Sequence, residues 1–277
     1  SPVDFSGYGD VVQLSVGAKH ACVRFADKTA ICWGKSNNGQ LGWGNSVDFG
    51  TTPGQIGANL PFIPLDNVIG MFVQGELFGG CARMQTGDIK CWGRNNHGQL
   101  GIGDTHDRGN NANDMGINLP VLDFGANYVV SMSQIDMVKC VVRDSADVVC
   151  WGVNVKGLIG REHSVTPWKS PGLPALLGTS IPPVKQVSMF IKAGACVVFR
   201  GGTVKCWGLG VIALGYGDTK QRGSAVGSMG DNLPLISFGV PVVSMFGMRE
   251  AMCYLFTDGR VKCVGLNRKG QLALGTT

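Results

Sequence analysis

Ten cysteines recur as five pairs whose members are ten residues apart, a spacing at which thiols could form disulfides or hold zinc. The pairs are Cys22 with Cys32, Cys81 with Cys91, Cys140 with Cys150, Cys196 with Cys206, and Cys253 with Cys263. A hairpin turn midway would place both members opposite each other, within reach of a disulfide. Isolated pairs make poor tetrahedral zinc sites. We therefore predict five disulfides, no metal and no cofactor, in a secreted or cell-surface protein.

The residues between the paired cysteines support such hairpins. Three of the intervening loops end in glycine, which favours the left-handed backbone that a three-residue turn needs at its last position: Gln85-Thr86-Gly87, Arg200-Gly201-Gly202 and Thr257-Asp258-Gly259. Lys28 and Ala146 stand at this position in the first and third pairs, so the conformation of those two turns is left open.

Around the cysteines the chain repeats itself with a period of 56 to 59 residues. Each repeat carries a short core at its second cysteine: Cys32-Trp33-Gly34, Cys91-Trp92-Gly93, Cys150-Trp151-Gly152, Cys206-Trp207-Gly208 and Cys263-Val264-Gly265. A second element follows later in the repeat: Gly57-x-Asn59-Leu60-Pro61, Gly116-x-Asn118-Leu119-Pro120, Gly230-x-Asn232-Leu233-Pro234, and a weaker copy at Gly178-x-Ser180-Ile181-Pro182. We interpret the four tryptophans as wedges packed between repeats.

The segments between turn residues are short and rich in β-branched and aromatic residues, which predicts four strands per repeat. From the second repeat into the third they cover Val121–Phe124, Tyr128–Met132, Lys139–Val142 and Val148–Trp151. Four-stranded units at a fixed period are typical of β-propeller blades. We predict a single all-β propeller domain over residues 1–277, of five blades with four antiparallel strands each. The repeats are approximately 11–66, 67–125, 126–184, 185–239, and 240–277 together with 1–10.

The first residues resemble a strand from inside the chain. Pro2-Val3-Asp4-Phe5 is similar to Pro120-Val121-Leu122-Asp123-Phe124, and Pro2 and Pro120 both precede a first cysteine by 20 residues. We therefore expect the N-terminal strand to complete the C-terminal blade and close the ring, which would remove an exposed sheet edge. The alternative is that further repeats lie outside this sequence.

The runs Cys32–Gly42 and Cys91–Gly101 resemble the regulator of chromosome condensation repeat family. This resemblance implies a β-propeller with repeats of about this length, usually seven blades, and it brings no catalytic residues. In having paired cysteines, this chain departs from the founding nuclear member of that family. The chain looks more like secreted relatives whose roles are mostly protein binding.

Residues that vary between repeats point to a binding surface. The repeats share a turn after the Cys-Trp-Gly core, Gly39-Gln40-Leu41-Gly42 in the first and Gly98-Gln99-Leu100-Gly101 in the second. A long loop follows this Gly-Gln-Leu-Gly turn, and loops on a rigid scaffold commonly carry recognition. Trp, Tyr and Arg are frequent anchors. The candidate binding residues are Trp43, Phe49, His106, Arg108, Trp168, Tyr216 and Arg222. Alternatively, the aromatic side chains tuck each loop against its own blade.

Other site chemistries receive less support. The loop from Asp104 to Asp114 has enough oxygens for Ca²⁺ but lacks the ligand spacing of an EF-hand. A similar loop from Asp218 to Gly223 keeps Asp, Thr, Arg and Gly at matching positions, which favours a local Asp–Arg pair or turn-stabilising bonds over a metal ion. The four histidines are scattered and no nucleophile elbow is present, so we predict no enzyme activity. The Gly-Gln-Leu-Gly turn is altered in two repeats, by Leu158 in the third and by Val211–Leu214 in the fourth. These apolar residues either form a surface patch or are repacked internally.

These observations predict an extracellular binding or structural propeller that contacts a protein partner, or copies of itself, through its long loops. A lectin with one shallow site per repeat is the alternative, although Trp43, Ile102 and Tyr216 do not form a uniform aromatic series. A nucleotide-exchange or chromatin-binding role is a third possibility. The net charge of +5 without basic runs indicates no nucleic-acid partner, and no apolar stretch reaches the ~20 residues of a membrane span.

Overall fold

The short β-rich segments of the sequence form antiparallel strands in the computed structural model, which describes residues 3–56, 59–73, 79–135, 137–162, 169–190, 194–210 and 214–275. No helix in these ranges is long and apolar enough to cross a membrane. One-turn 3-10 helices cover Gly116–Asn118, Val155–Gly157 and Gly230–Asn232. The strands are β1 Val11–Val16, β2 His20–Phe25, β3 Ala30–Gly34, β4 Val68–Val73, β5 Gly80–Met84, β6 Ile89–Trp92, β7 Val121–Leu122, β8 Val129–Ile135, β9 Val138–Arg143, β10 Val148–Gly152, β11 Val184–Phe190, β12 Gly194–Phe199, β13 Val204–Gly208, β14 Val242–Gly247, β15 Ala251–Phe256 and β16 Val261–Gly265.

The strands form five antiparallel sheets, one for each predicted repeat. Their orders are β1-β2-β3, β4-β5-β6-β7, β8-β9-β10, β11-β12-β13 and β14-β15-β16. In the first and fourth sheets a single bridge, Ile31 to Phe62 and Val204 to Ile236, stands where β7 lies in the second. The all-β architecture and the blade-like units of the prediction are confirmed.

The outer segment of the third sheet differs from the prediction. The amide of Ala175 donates to the carbonyl of Val148 at 2.7 Å, so the outer contact of this sheet comes from Ala175. The weaker motif copy at Ser180 and Ile181 lies beyond this contact and forms no strand. In the fourth sheet, the residue that bonds to the strand, Ile236, stands two positions after Pro234. In the third sheet, Ala175 stands only one position after Pro174.

All five predicted disulfides are present, and each joins two residues that face each other across adjacent strands. Cys140 pairs with Cys150 in the ladder of β9 and β10, and their Cα atoms lie 4.1 Å apart. The cysteines are therefore not available as zinc ligands. The turns that the sequence left open adopt the same left-handed conformation as the glycine turns, with φ of 72° at Lys28 and 63° at Ala146.

The described residues group into two compact units. Unit 1 contains residues 1–129 and 169–171, and unit 2 contains residues 130–168 and 172–277. In unit 1 the buried indole of Trp92 donates from Nε1 to the carbonyl of Gln40 at 2.9 Å. In unit 2 Trp207 makes the equivalent bond to Leu158, also at 2.9 Å. The predicted wedge role of these tryptophans is visible in both units, and Leu158 supplies the carbonyl although its side chain departs from the repeat.

The N-terminal segment does not form the predicted strand within the described residues. Val3 to Phe5 lie outside any strand, and Pro2 lies outside the described part of the chain. The ring of Phe5 packs on the first sheet, with its centroid 6.0 Å from that of Phe25 and 5.6 Å from that of Trp33. Burial of this aromatic ring against the sheet that follows it explains the difference.

Candidate functional site

Three long loops leave the sheets after β3, β6 and β13. They follow equivalent courses, and each is anchored at an equivalent position of its own sheet. Each returns to the glycine that ends the Cys-Trp-Gly motif of its sheet, in the bridges Gly34 to Phe49, Gly93 to Arg108 and Gly208 to Arg222. Every bridge is closed by two backbone hydrogen bonds of 2.7–3.0 Å. The base of each loop is therefore fixed by backbone atoms and does not depend on the side chain at the bridge.

Shortly before it returns to its bridge, each loop forms the same Asx turn. The Oδ1 atoms of Asn45, Asp104 and Asp218 accept from the backbone amide two residues later, at 3.0, 2.9 and 3.1 Å respectively. Such turns hold the backbone while leaving the next side chains free. The residues whose amides donate are Val47, His106 and Lys220, and we call these the tip positions.

The side chains at the tip positions point to solvent. Val47 is 59% exposed, the His106 side chain is 82% exposed, and Lys220 is exposed. The same turn therefore exposes an apolar side chain in one loop, an imidazole in the second and a cationic group in the third. Of the residues that the sequence singled out, His106 alone falls at a tip. Val47 and Lys220 were missed, although the in-step recurrence of Asn45, Asp104 and Asp218 would have located them.

The other predicted binding residues that the structure describes make contacts within their own loops and sheets. The rings of Trp43 and Phe49 meet edge to face at 4.9 Å and pack on the core of unit 1. Arg108 reaches Asp104 at 2.6 Å, within its own loop. Trp168 lies outside the described residues. A binding role for these residues stays a prediction, and the structure gives Trp43, Phe49 and Arg108 contacts within unit 1.

The loop after β13 is braced by a stacked tyrosine and arginine. The hydroxyl of Tyr216 donates to the carbonyl of Cys206 at 3.0 Å, and burial raises its pKa to about 12. The guanidinium of Arg222 lies 4.1 Å from the centre of the Tyr216 ring and binds both carboxylate oxygens of Asp218 at 2.9 Å. The hydrogen bond from Arg222 lowers the pKa of Asp218 to about 2, with help from the amide of Lys220.

Carboxylates in the second loop likewise bond to the loop itself. Burial alone would raise the pKa of Asp104, but bonds from the His106 amide and from Arg108 outweigh it and lower the pKa. Asp107 accepts from the amide of Asn95 at 2.6 Å, and Asp114 accepts from that of Asn111 at 2.9 Å. The oxygens that suggested Ca²⁺ thus have turn-stabilising partners.

Neighbouring loops touch each other within each unit. The amide of Gly44 donates to the carbonyl of Gly109 at 3.0 Å in unit 1, and Glu162 makes the same bond to Gly223 in unit 2 at 3.0 Å. Gly44 has a φ of 74°, and a Cβ there would lie 2.8 Å from the Cα of Ala112. Glycine is required at this contact, which holds the first two tips in a fixed relation.

We expect that Arg222→Ala raises the pKa of the Asp218 carboxyl from about 2 toward its ordinary 3.8, because the guanidinium is the largest cause of the depression. The shift is incomplete, since the amide of Lys220 still donates. An NMR titration of the carboxyl carbon measures it. Lys220→Ala is the control, as it keeps that amide and removes only the weakest contribution. An unchanged pKa in Arg222→Ala would show that the pair is absent in solution.

Repeated sheets, in-register disulfides and a recurring loop frame define a repeat protein of the β-propeller class. Residues 11–40 match the family model described as "Regulator of chromosome condensation (RCC1) repeat", which confirms the resemblance found in the sequence. Among relatives, the probable E3 ubiquitin-protein ligase HERC3 of Homo sapiens is 35% identical over 105 residues, 35% of this chain. The Arabidopsis thaliana ultraviolet-B receptor UVR8 is 28% identical over 217 residues, 76% of this chain. The match spans 9% of HERC3 and 44% of UVR8.

Solved structures agree over nearly the whole chain. Human WBSCR16 superposes with a TM-score of 0.74 at 18% identity, covering 96% of this chain and 64% of that one. Prp20p from Saccharomyces cerevisiae gives 0.68 at 16% identity, covering 96% and 58%. The ectodomain of the receptor kinase CR4 from Physcomitrella patens gives 0.54 at 17% identity, covering 93% and 54%. At these identities the likeness shows the fold.

Proposed function

We propose that this protein is an extracellular, non-enzymatic binding propeller that recognises a protein partner through its tip positions. The observation that carries the proposal is the shared Asx-turn frame, which exposes a different side chain in each of three loops. A fixed backbone lowers the entropy lost on binding, and the exposed side chains then set the specificity.

The variety of the tip side chains favours a protein over a sugar as the ligand. A lectin with one site per repeat needs the same aromatic and polar groups at the same loop position. The aromatic side chains that could form this series, Trp43 and Tyr216, pack inward on their own sheets. A protein surface, in contrast, offers apolar and polar groups side by side, which matches Val47 and His106 of unit 1.

The relatives support binding and an oxidising environment. The structure of Prp20p is described together with its binding to Gsp1p and histones, and the CR4 structure is an ectodomain. Five disulfides are typical of proteins outside the reducing cytosol. Together they favour an extracellular protein-binding role over exchange-factor activity in the nucleus.

The double variant Val47→Ser with His106→Ser is expected to bind its partner at least tenfold more weakly, because it removes two exposed tip side chains and keeps their Asx turns. The partner is first captured from the extracellular fraction of the source by cross-linking to the wild-type chain. Affinity is then measured by biolayer interferometry with the purified partner.

A matched control changes two exposed residues at the hairpin turns, which lie at the opposite ends of the strands. Gln85→Ser with Arg200→Ser should leave the affinity unchanged, and both double variants should melt within 2–3 °C of the wild type, roughly the range expected of surface substitutions. Equal affinity of the tip variant and the wild type would place recognition elsewhere on the chain.

A further inference from the structure

Three backbone amides in the loop after β3 converge on a single oxygen atom. Beyond its bridge to the sheet, this loop turns back through residues 50–55. The amides of three consecutive residues there donate to Oε1 of Gln55, at 2.9, 3.0 and 3.2 Å: Gly50, Thr51 and Thr52. The hydroxyl of Thr51 lies 3.5 Å from the same oxygen. Successive amides that point into one concavity form a nest, an arrangement that binds anions.

The same six-residue turn recurs in the loops after β6 and β13, where other groups close it. Each turn begins at a glycine with positive φ and is closed by the side chain five residues later. In the loop after β6 the closing group is a carboxylate, since Oδ2 of Asp114 accepts from the amide of Asn111 at 2.9 Å. In the loop after β13 the hydroxyl of Ser228 accepts from the amide of Gly223 at 2.9 Å. This turn therefore accommodates an anionic as well as a neutral oxygen.

The nest in the loop after β3 combines the most amide donors of these three turns with an uncharged acceptor. A hydrogen bond to an ionised oxygen is roughly twice as strong as one between neutral groups. Three amides directed at the carboxamide oxygen of Gln55 therefore favour an anionic oxygen in its place. Residues 43–59 contain no Lys, Arg or His, so the backbone dipoles supply the attraction without help from a basic side chain of this segment.

The nest is accessible, and its backbone is held independently of the side chain that fills it. The three residues that donate their amides are all exposed, and Gln55 is half-buried. The bridge between Gly34 and Phe49, with hydrogen bonds of 2.7 and 2.8 Å, fixes the chain just before the nest. At its far end, the amide of Gln55 donates to the carbonyl of Thr52 at 3.3 Å. The carboxamide can therefore turn out to solvent while the amides keep their direction.

We propose that the amides of residues 50–52 form a binding site for an oxyanion group, sulfate or phosphate, one oxygen of which replaces Oε1 of Gln55. The carboxamide oxygen marks the place of that oxygen, and the hydroxyl of Thr51 can donate to a second one. The exposed rim admits either a free ion or a group esterified to a larger molecule. The site is built from backbone atoms and uses neither Val47 nor His106, so it goes beyond the proposed function and does not depend on it.

The test follows the amide resonances of Gly50, Thr51 and Thr52 by NMR in the full disulfide-bonded chain. Sodium sulfate, sodium phosphate or glucose 6-sulfate is added at constant ionic strength. We expect saturable shifts, largest in this turn, with both inorganic ions. Glucose 6-sulfate distinguishes the two sources of the group, because only a site that accepts esterified sulfate will bind it as tightly as the free ion.

Substitutions of Gln55 should change the site in opposite directions. Gln55→Glu supplies an internal carboxylate, as Asp114 does in the loop after β6, and should weaken sulfate binding at least about tenfold. Gln55→Ala removes the competing oxygen and should bind sulfate more tightly than the wild type. Gln85→Ala changes a glutamine at a hairpin turn and serves as the matched control, with unchanged binding. Amide spectra outside the substituted turn should match the wild type in all three variants.

Two results would overturn the proposal. Equal binding of sulfate by the wild type and by Gln55→Glu would mean that the ion lies elsewhere on the chain. Absence of a saturable response in the wild type would mean that the side chain of Gln55 closes the nest to external ions, even if Gln55→Ala binds them. Neither result bears on recognition by the tip positions, which is measured with the protein partner.

Discussion

Trp207→Ala is expected to destabilise unit 2 by about 3–5 kcal/mol, the range for removing a large buried aromatic side chain. The indole is fully buried, and its atoms lie directly against the Gly160 turn, since a Cβ built there would come within 3.0 Å of Nε1. The substitution leaves a cavity and also leaves the Leu158 carbonyl without the indole donor. Urea unfolding followed by hydrogen exchange of the β12 and β13 amides measures the loss.

Two further variants separate the causes. Trp207→Phe keeps much of the apolar packing and loses the donor, so we expect a smaller destabilisation of about 1–3 kcal/mol. Trp33→Ala changes the equivalent residue of the first sheet, which is partly exposed and packs on Phe5. It should cost clearly less than Trp207→Ala. Equal costs at both sites would contradict the wedge role.

Removing the third disulfide with Cys140→Ala and Cys150→Ala is expected to lower the free energy of unfolding by close to 3 kcal/mol. A cross-link restricts the unfolded chain, and a loop closed by residues ten apart lies slightly below the ~3 kcal/mol expected for fifteen residues. Both cysteines are buried, so the lost sulfur packing adds to this effect. Denaturant unfolding under non-reducing conditions is the measurement.

The fifth disulfide provides the matched comparison. Cys253 and Cys263 close a loop of the same length but are only partly buried, so Cys253→Ala with Cys263→Ala loses the cross-link with less packing. Its cost should be the smaller of the two. If neither double variant is less stable than the wild type, the bonds contribute no net stability and serve another purpose.

Most of the fold was predictable because each repeat carries its own local evidence. Paired cysteines, midway turns and runs rich in β-branched and aromatic residues predicted the hairpins, and the predicted strand Val148–Trp151 appears as Val148–Gly152. The outer segment of the third sheet was not predictable in this way. There the bond to Val148 comes from Ala175, one residue after Pro174. A motif marks where an outer segment can form, but the register depends on contacts across the sheet.

The candidate site was predicted less well, since the direction of a side chain in a loop depends on how the loop returns. Phe49 and Tyr216 are aromatic residues of the kind that often anchors a binding surface. The bridges at Gly34 and Gly208 nevertheless bring both loops back to their sheets, and these rings face inward. The recurrence of Asp and Arg correctly suggested a local pair, which the structure contains in Asp218 and Arg222.

Every cysteine finds its partner inside its own repeat, across a single hairpin. A gene that gained or lost one repeat would therefore gain or lose a complete bonded pair and would leave no orphan thiol to mispair during folding. Oxidative maturation can proceed one hairpin at a time, before distant parts of the chain have been synthesised. Because of this bonding pattern, the number of repeats can change in evolution while the existing disulfides keep their pairing.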